Sequence, residues 1–104
     1  MKRFEVWLVG LDPTIGHEIN KTRPCIIISP DEMNPLSTVI VAPLTSKGFI
    51  FPGRVATRFQ GKDGFVLLDQ MRAVDKQRLY QRLGTVDRQT ITSLCSALEE
   101  MFTC

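Results

Sequence analysis

The 104-residue chain is 43% hydrophobic and 23% charged, with a formal net charge of +2. That balance predicts one soluble globular domain over residues 1–104, and a charge this small excludes a blanket polyanion binder. No apolar run is long enough to span a membrane, and Met1 to Glu5 has neither the apolar core nor the cleavage site of a signal peptide, so a cytoplasmic protein is expected.

Phe4 to Leu11 is aromatic and β-branched with partial alternation, and predicts a first strand. Asp12 to Arg23 follows as a loop, punctuated by Asp12-Pro13 and Gly16 and ended by Pro24. Pro24 to Ser29 is a short continuous apolar run, which fits a central strand buried on both faces. Pro30 to Leu36 predicts a turn with one helical turn in it. Thr38 to Ala42 predicts a third strand, stopped by Pro43. Leu44 to Gly53 reads as a second loop carrying Phe49, Ile50 and Phe51. Arg54 to Phe59 alternates as a half-exposed strand, and Asp63-Gly64 offers hairpin chemistry after it. Phe65 to Leu68 predicts another strand, which Asp69 to Val74 continues. Asp75 to Leu79 predicts a short helical turn capped by Asp75, and Leu83 to Val86 a last short strand. Asp87 is placed to cap a terminal helix whose Ile91, Leu94, Cys95, Leu98, Met101 and Phe102 share one apolar face. Several short strands and one terminal helix imply a mainly β fold, a small curled antiparallel sheet with the helix over an open side.

Three cysteines, Cys25, Cys95 and Cys104, form no C-x-x-C spacing, which argues against a disulfide framework and a zinc site. Cys95, on the apolar helical face, is expected to be a buried thiol. From Arg54 to Arg88 there are eight Lys/Arg against four Asp/Glu, either a basic patch or scattered solvated cations. The loop from Asp12 to Arg23 holds the only histidine, His17, with Glu18, Lys21 and Arg23 close in sequence. Loops placed by a rigid scaffold are where binding and catalysis concentrate.

Six stretches then fall in order over almost the whole chain: Phe4-Glu5-Val6-Trp7, Leu11-Asp12-Pro13-Thr14, Gly16-His17-Glu18, Thr22-Arg23-Pro24, Ala42-Pro43-Leu44-Thr45-Ser46, and Leu68-Asp69-Gln70 with Arg72 and Asp75. Together they resemble the MazF/PemK family of toxin endoribonucleases. The resemblance implies an SH3-like barrel of antiparallel strands with a C-terminal helix, the CcdB/MazF/PemK-like fold, assembled as a homodimer. It implies sequence-selective cleavage of single-stranded RNA, such as mRNA, with no metal or other cofactor. The cleavage would be a 2′-hydroxyl transesterification leaving a 2′,3′-cyclic phosphate and a 5′-hydroxyl. A cognate antitoxin is the implied protein partner, occupying the RNA groove. One position departs from the pattern. The PemK-like branch has an arginine two residues before the aspartate of its Asp-Gln, and here that position is Leu67. The chain therefore resembles the other branch, in which the Arg-Pro arginine and the Thr-Ser threonine carry the chemistry.

The residues suit such a reaction on their own terms. Something must take the 2′-proton, something must stabilise the extra charge on the phosphorane, and something must protonate the departing 5′-oxygen. Arg23 offers a planar fork of permanent charge for phosphate oxygens, positioned by Pro24. Thr45, with Ser46 beside it, offers a hydroxyl past a strand end. Glu18 is placed to be the base, to orient Arg23, or to hold a base edge. His17 is the residue type suited to acid–base work near neutral pH, though a lone loop histidine is more often simply solvated. Asp69 and Gln70 can present an acceptor and an amide to splayed RNA bases. Lys21 and Arg72 are cations suited to the RNA backbone, and Phe49 and Phe51 can stack on bases or pack on the barrel. The loop from Thr14 to Thr22 then reads as a mobile cover over a phosphate site. Two other classes share the barrel: a CcdB-type gyrase poison that acts by binding, and an RNA-binding barrel without activity.

Overall fold

The computed structural model describes residues 1–48 and 51–104. Among these, seven strands precede one helix: β1 (Glu5–Gly10), β2 (Thr22–Ile27), β3 (Thr38–Thr45), β4 (Arg54–Phe59), β5 (Lys62–Leu67), β6 (Arg72–Asp75), β7 (Leu79–Thr85) and α1 (Arg88–Phe102). Every pairing is antiparallel, and the strand order is β4-β5-β3-β2-β1-β7 with β6 also on β3. The sheet curls so that its end strands approach. The Gln60 amide donates to the Leu83 carbonyl (3.2 Å), and the Phe59 ring packs over Gly84.

β3 is the spine of this arrangement. One edge pairs with β2; the other pairs with β6 from Thr38 to Val41 and then with β5 at Leu44 and Thr45. Pro43 does not stop the strand, contrary to the expectation from sequence. It lies in the gap where β6 pairing has ended and β5 pairing has not begun, so its missing N–H removes no ladder bond on that edge.

The apolar run of β2 is buried on both faces because the sheet has a core on each side. Ile26 and Ile28 pack with Val6, Val66, Leu68 and Leu94, while Cys25 and Ile27 pack with Val9, Leu11, Val41 and Leu79. The alternation of side chains along the strand divides the run between them. The buried thiol is accordingly Cys25, which burial pushes up to about 12 against the opposing pull of the Arg72 charge. Cys95 is only half-buried. Asp87 caps α1, its carboxylate accepting from the Thr90 N–H (2.8 Å), and Leu94 is the fully buried residue of the helix. The apolar face does not stay covered to its end: Met101 and Phe102 are exposed.

Three further local expectations change. The β4–β5 turn is Gln60-Gly61, both at positive φ, and Asp63-Gly64 lies inside β5. Gly64 is needed for close approach instead: a Cβ there would collide with the Thr45 carbonyl oxygen. Asp69 to Val74 does not continue β5. Leu68–Gln70 forms a 3-10 turn that swings the chain across to pair with β3 as β6. The last strand is β7, longer than Leu83 to Val86, because pairing with β1 holds its first half. Asp75 does cap a 3-10 turn, accepting from the Gln77 N–H (2.8 Å).

Candidate active-site cleft

Arg23 stands near the start of β2, opposite Val9 of β1, and is exposed. Thr45 ends β3. The β2–β3 register pairs Cys25 with Pro43, so Arg23 and Thr45 lie two residues beyond that pair on the same face of the sheet. Arg23 Nε donates to the Asn20 carbonyl (3.3 Å), and Thr45 Oγ1 accepts from the Lys47 N–H (3.2 Å). Both side chains line a cavity of about 340 Å³ together with Ser46, Arg54 and Gln70. Pro24 and the β2–β3 ladder thus bring Arg23 and Thr45 into the lining of one cavity.

A second cavity, about 430 Å³, adjoins the first and shares Ile19 and Gln70 with it. It collects His17, Glu18, Asp69 and Arg72. A third, about 240 Å³, opens on the other side of Arg23, Thr45 and Ser46 and is walled by Phe59 and Phe65, with Lys62 at its edge. The three form one cleft with Arg23 and Thr45 between its two ends.

Loop 12–21 is tied to this cleft at several points. The Leu11 N–H donates to the Lys21 carbonyl (2.9 Å), and the Lys21 N–H to Asp12 Oδ1 (3.0 Å). The Ile19 N–H donates to Gln70 Oε1 (2.8 Å). Arg78 donates to the Gly10 carbonyl (3.1 Å) and to the Asp12 carbonyl, and Arg72 donates to the Leu11 carbonyl (3.0 Å). Several candidates therefore have structural partners. Gln70 spends its oxygen on the loop and keeps its NH₂ as the group for a ligand. Arg72 anchors the loop while lining the cleft. Glu18 accepts from the Ile15 N–H (2.6 Å) within the loop. His17 is exposed at the cleft, and Lys21, at positive φ, closes the loop neck and is not among the residues lining these cavities. Phe49 lies outside the described residues, and Phe51 is half-exposed with the Arg54 guanidinium 5.7 Å from its ring centre.

Arg54 is the cleft residue that the sequence reading passed over. It begins β4 directly opposite Leu67 of β5 and sends its fork onto Asp69, Nε to Oδ1 and Nη2 to Oδ2, both 3.3 Å. Nothing in the linear pattern connects residue 54 to residue 69; the hairpin register and the 3-10 turn bring them together. Arg78 escaped notice for the same reason. Among the described residues no group of three or more His, Cys, Asp or Glu is placed to hold a metal, and the cleft's centre is cationic.

The pattern of the family described as PemK-like, MazF-like toxin of type II toxin-antitoxin system matches residues 2–102. The chain belongs to that family. Similar PemK/MazF proteins include Endoribonuclease PemK of Escherichia coli, 36% identical over 99% of this chain and 83% of that protein. Endoribonuclease MazF of Staphylococcus saprophyticus is 33% identical over 95% of this chain and 88% of that protein. Among solved structures, MazF from Deinococcus radiodurans superposes with a TM-score of 0.84 at 21% identity, covering all of this chain and 97% of that one. A mycobacterial endoribonuclease in complex with its cognate antitoxin superposes with a TM-score of 0.80 at 24% identity, over 96% of this chain and 92% of that one. These superpositions give the MazF fold, with its curled antiparallel sheet and C-terminal helix.

Proposed function

We propose that this PemK/MazF-family protein is a toxin endoribonuclease that cleaves single-stranded RNA sequence-selectively through the substrate's own 2′-hydroxyl. The observation that carries the reading is that Arg23 and Thr45 together line two adjoining cavities. The relatives named endoribonuclease support it. The 2′-oxygen attacks the adjacent phosphorus and loses its proton; the bond to the 5′-oxygen breaks, and that oxygen gains a proton. The products are a 2′,3′-cyclic phosphate and a 5′-hydroxyl.

Arg23 supplies charge and two parallel donors to the non-bridging oxygens as the phosphorane forms. Thr45 Oγ1 adds a donor from the facing strand, with Ser46 beside it. Glu18, which accepts from the Ile15 N–H and lines the adjoining cavity, is the candidate general base; His17, Asp69, Gln70 and Arg72 line the same cavity and meet the flanking nucleotide. Lys21 acts on the RNA backbone only from outside the cavities.

The partners follow from the same reading. A cognate antitoxin blocks the cleft; the mycobacterial endoribonuclease of the same fold forms a complex with an antitoxin of its own. A second copy of the chain covers the exposed end of α1: Met101, beside Gly53, and Phe102 lie uncovered, an apolar patch suited to a homodimer contact. No helix among the described residues is long and apolar enough to cross a membrane, and a toxin acting on mRNA works in the cytoplasm. Primer extension on a long RNA tests the reading: discrete stops that share a sequence motif and persist in EDTA are expected. Inhibition of gyrase supercoiling with no RNA cleavage would replace the reading with a CcdB-type poison.

A further inference from the structure

We propose that Arg54 is a specificity-determining positioning residue: it fixes the Asp69 carboxylate as a pure acceptor for an RNA base edge that carries an amino group. The inference rests on the RNA-binding side of the reading above and adds to it a residue and a base class.

The geometry is that of a held acceptor. Asp69 sits on the 3-10 turn after β5. Arg54 reaches it from the neighbouring strand with two donors, one to each oxygen, both at 3.3 Å. Two-point contact from a planar fork sets the plane of the carboxylate as well as its place. An ionised carboxylate accepts and cannot donate. Each oxygen retains acceptor capacity beyond the single bond from Arg54. Arg54 lines the central cavity and Asp69 the adjoining one, so the pair forms the partition between the reaction centre and the flanking compartment. Gln70, the next residue, has its oxygen committed to the Ile19 N–H and turns a donor to the same space. A base in that compartment meets a fixed acceptor beside a fixed donor.

Adenine and cytosine each present an exocyclic amino donor next to a ring-nitrogen acceptor, which matches Asp69 beside Gln70. Uracil can meet the same pair only through its ring N–H, which leaves its second carbonyl on the carboxylate side of that N–H, an unfavourable neighbour that adenine and cytosine do not bring. The pairing of a carboxylate with the cytosine amino group is an established readout, worth roughly tenfold or more in discrimination for a good contact. Without Arg54 the carboxylate is free to rotate and the acceptor plane is lost. Arg54→Lys keeps the charge but not the fork, so it separates positioning from simple attraction.

The test uses the full chain and 2′-O-methyl heptanucleotides of A, C or U, which cannot be cleaved, with binding read by fluorescence anisotropy. Wild type is expected to bind the A and C oligonucleotides roughly tenfold or more tighter than the U oligonucleotide. Arg54→Ala, Arg54→Lys and Asp69→Ala should each bring that ratio close to one, and Arg54→Ala/Asp69→Ala should lose no more than either alone, because both act through one carboxylate. Thermal melts of each variant check that it is folded, and Arg54→Lys serves if Arg54→Ala is not. A wild-type protein that binds all three equally or none of them, an Arg54→Lys ratio equal to wild type, or additive losses in the double variant would each overturn the proposal. Cleavage of a long RNA by wild type, followed in parallel, reports on the endoribonuclease reading independently of all three.

Discussion

Two arginine–carboxylate pairs, at opposite ends of the strand order, use the same chemistry for different ends. Glu5 of β1 accepts from the Lys2 N–H (2.7 Å), Trp7 Nε1 (3.1 Å) and Arg82 Nε (2.8 Å). Burial alone would raise its pKa, but the hydrogen bonds from Lys2, Trp7 and Arg82 outweigh it and hold the carboxyl at about 2. Among the described residues Asp69 receives the two longer bonds from Arg54, and it lines the cleft. A carboxylate that takes three bonds from the fold is a structural bolt between β1 and β7. A carboxylate held at two points with capacity left over is an acceptor kept ready for a ligand. Number and length of bonds, not the presence of an ion pair, separate the two.

The sharpest contrast comes from removing charge at the cleft without touching either pair. Arg23→Ala is expected to lower kcat by roughly 10²–10³, the usual consequence of deleting one preorganised donor to a developing charge, with an unchanged melting temperature. Thr45→Ala should follow in the same direction. A loss of stability matching the loss of activity in either variant would mean that the cleft residues belong with the structural pair. Glu5→Gln should do the reverse: it leaves Arg82 short of its charged partner and is expected to cost about 2 kcal/mol of unfolding free energy, measured by urea denaturation, while activity per folded molecule is retained.

Acid titration sharpens the difference again. Glu5 has a folded pKa of about 2 against an ordinary value of 4.5, so its stabilisation is fully present above pH 4.5 and is lost as pH falls from there toward 2. Asp87 is also held below its ordinary value, first by the side-chain hydrogen bond with Thr90 and then by the Thr90 N–H, and acts with the same sign. Melts at descending pH should therefore show a steep acid limb in wild type and a shallower one in Glu5→Gln. The smallest effect belongs to a third pair. Arg58 and Asp63 are 3.6 Å apart and largely exposed, and Arg58→Ala should change stability by less than about 1 kcal/mol.

Which parts of this were legible in the sequence follows from whether the signal was local. The strands announced themselves by β-branched runs, the helix by its cap at Asp87 and its apolar spacing, and Arg23 by Pro24. The pairing of Arg23 with Thr45 was read through resemblance, and the β2–β3 register gives it a physical basis. What escaped depended on distant partners. Pro43 reads as a stop unless the gap between β6 and β5 is known. Asp69-Gln70 reads as strand until β3 is seen to draw β6 across. Leu67 reads as the loss of an Arg–Asp pair at 67 and 69, yet Asp69 has an arginine after all, from the residue facing Leu67 across the β4–β5 hairpin. Glu18 looks in sequence like a partner for Arg23, and its carboxylate instead closes its own turn on Ile15.

The central claim is that the substrate's own 2′-hydroxyl is the nucleophile, activated between Arg23 and Thr45. The direct measurement is cleavage of an RNA that carries one 2′-deoxy substitution at a mapped cleavage position. That position should remain uncut while unsubstituted sites in the same molecule are cleaved at the ordinary rate. Cleavage at the substituted position would contradict the mechanism.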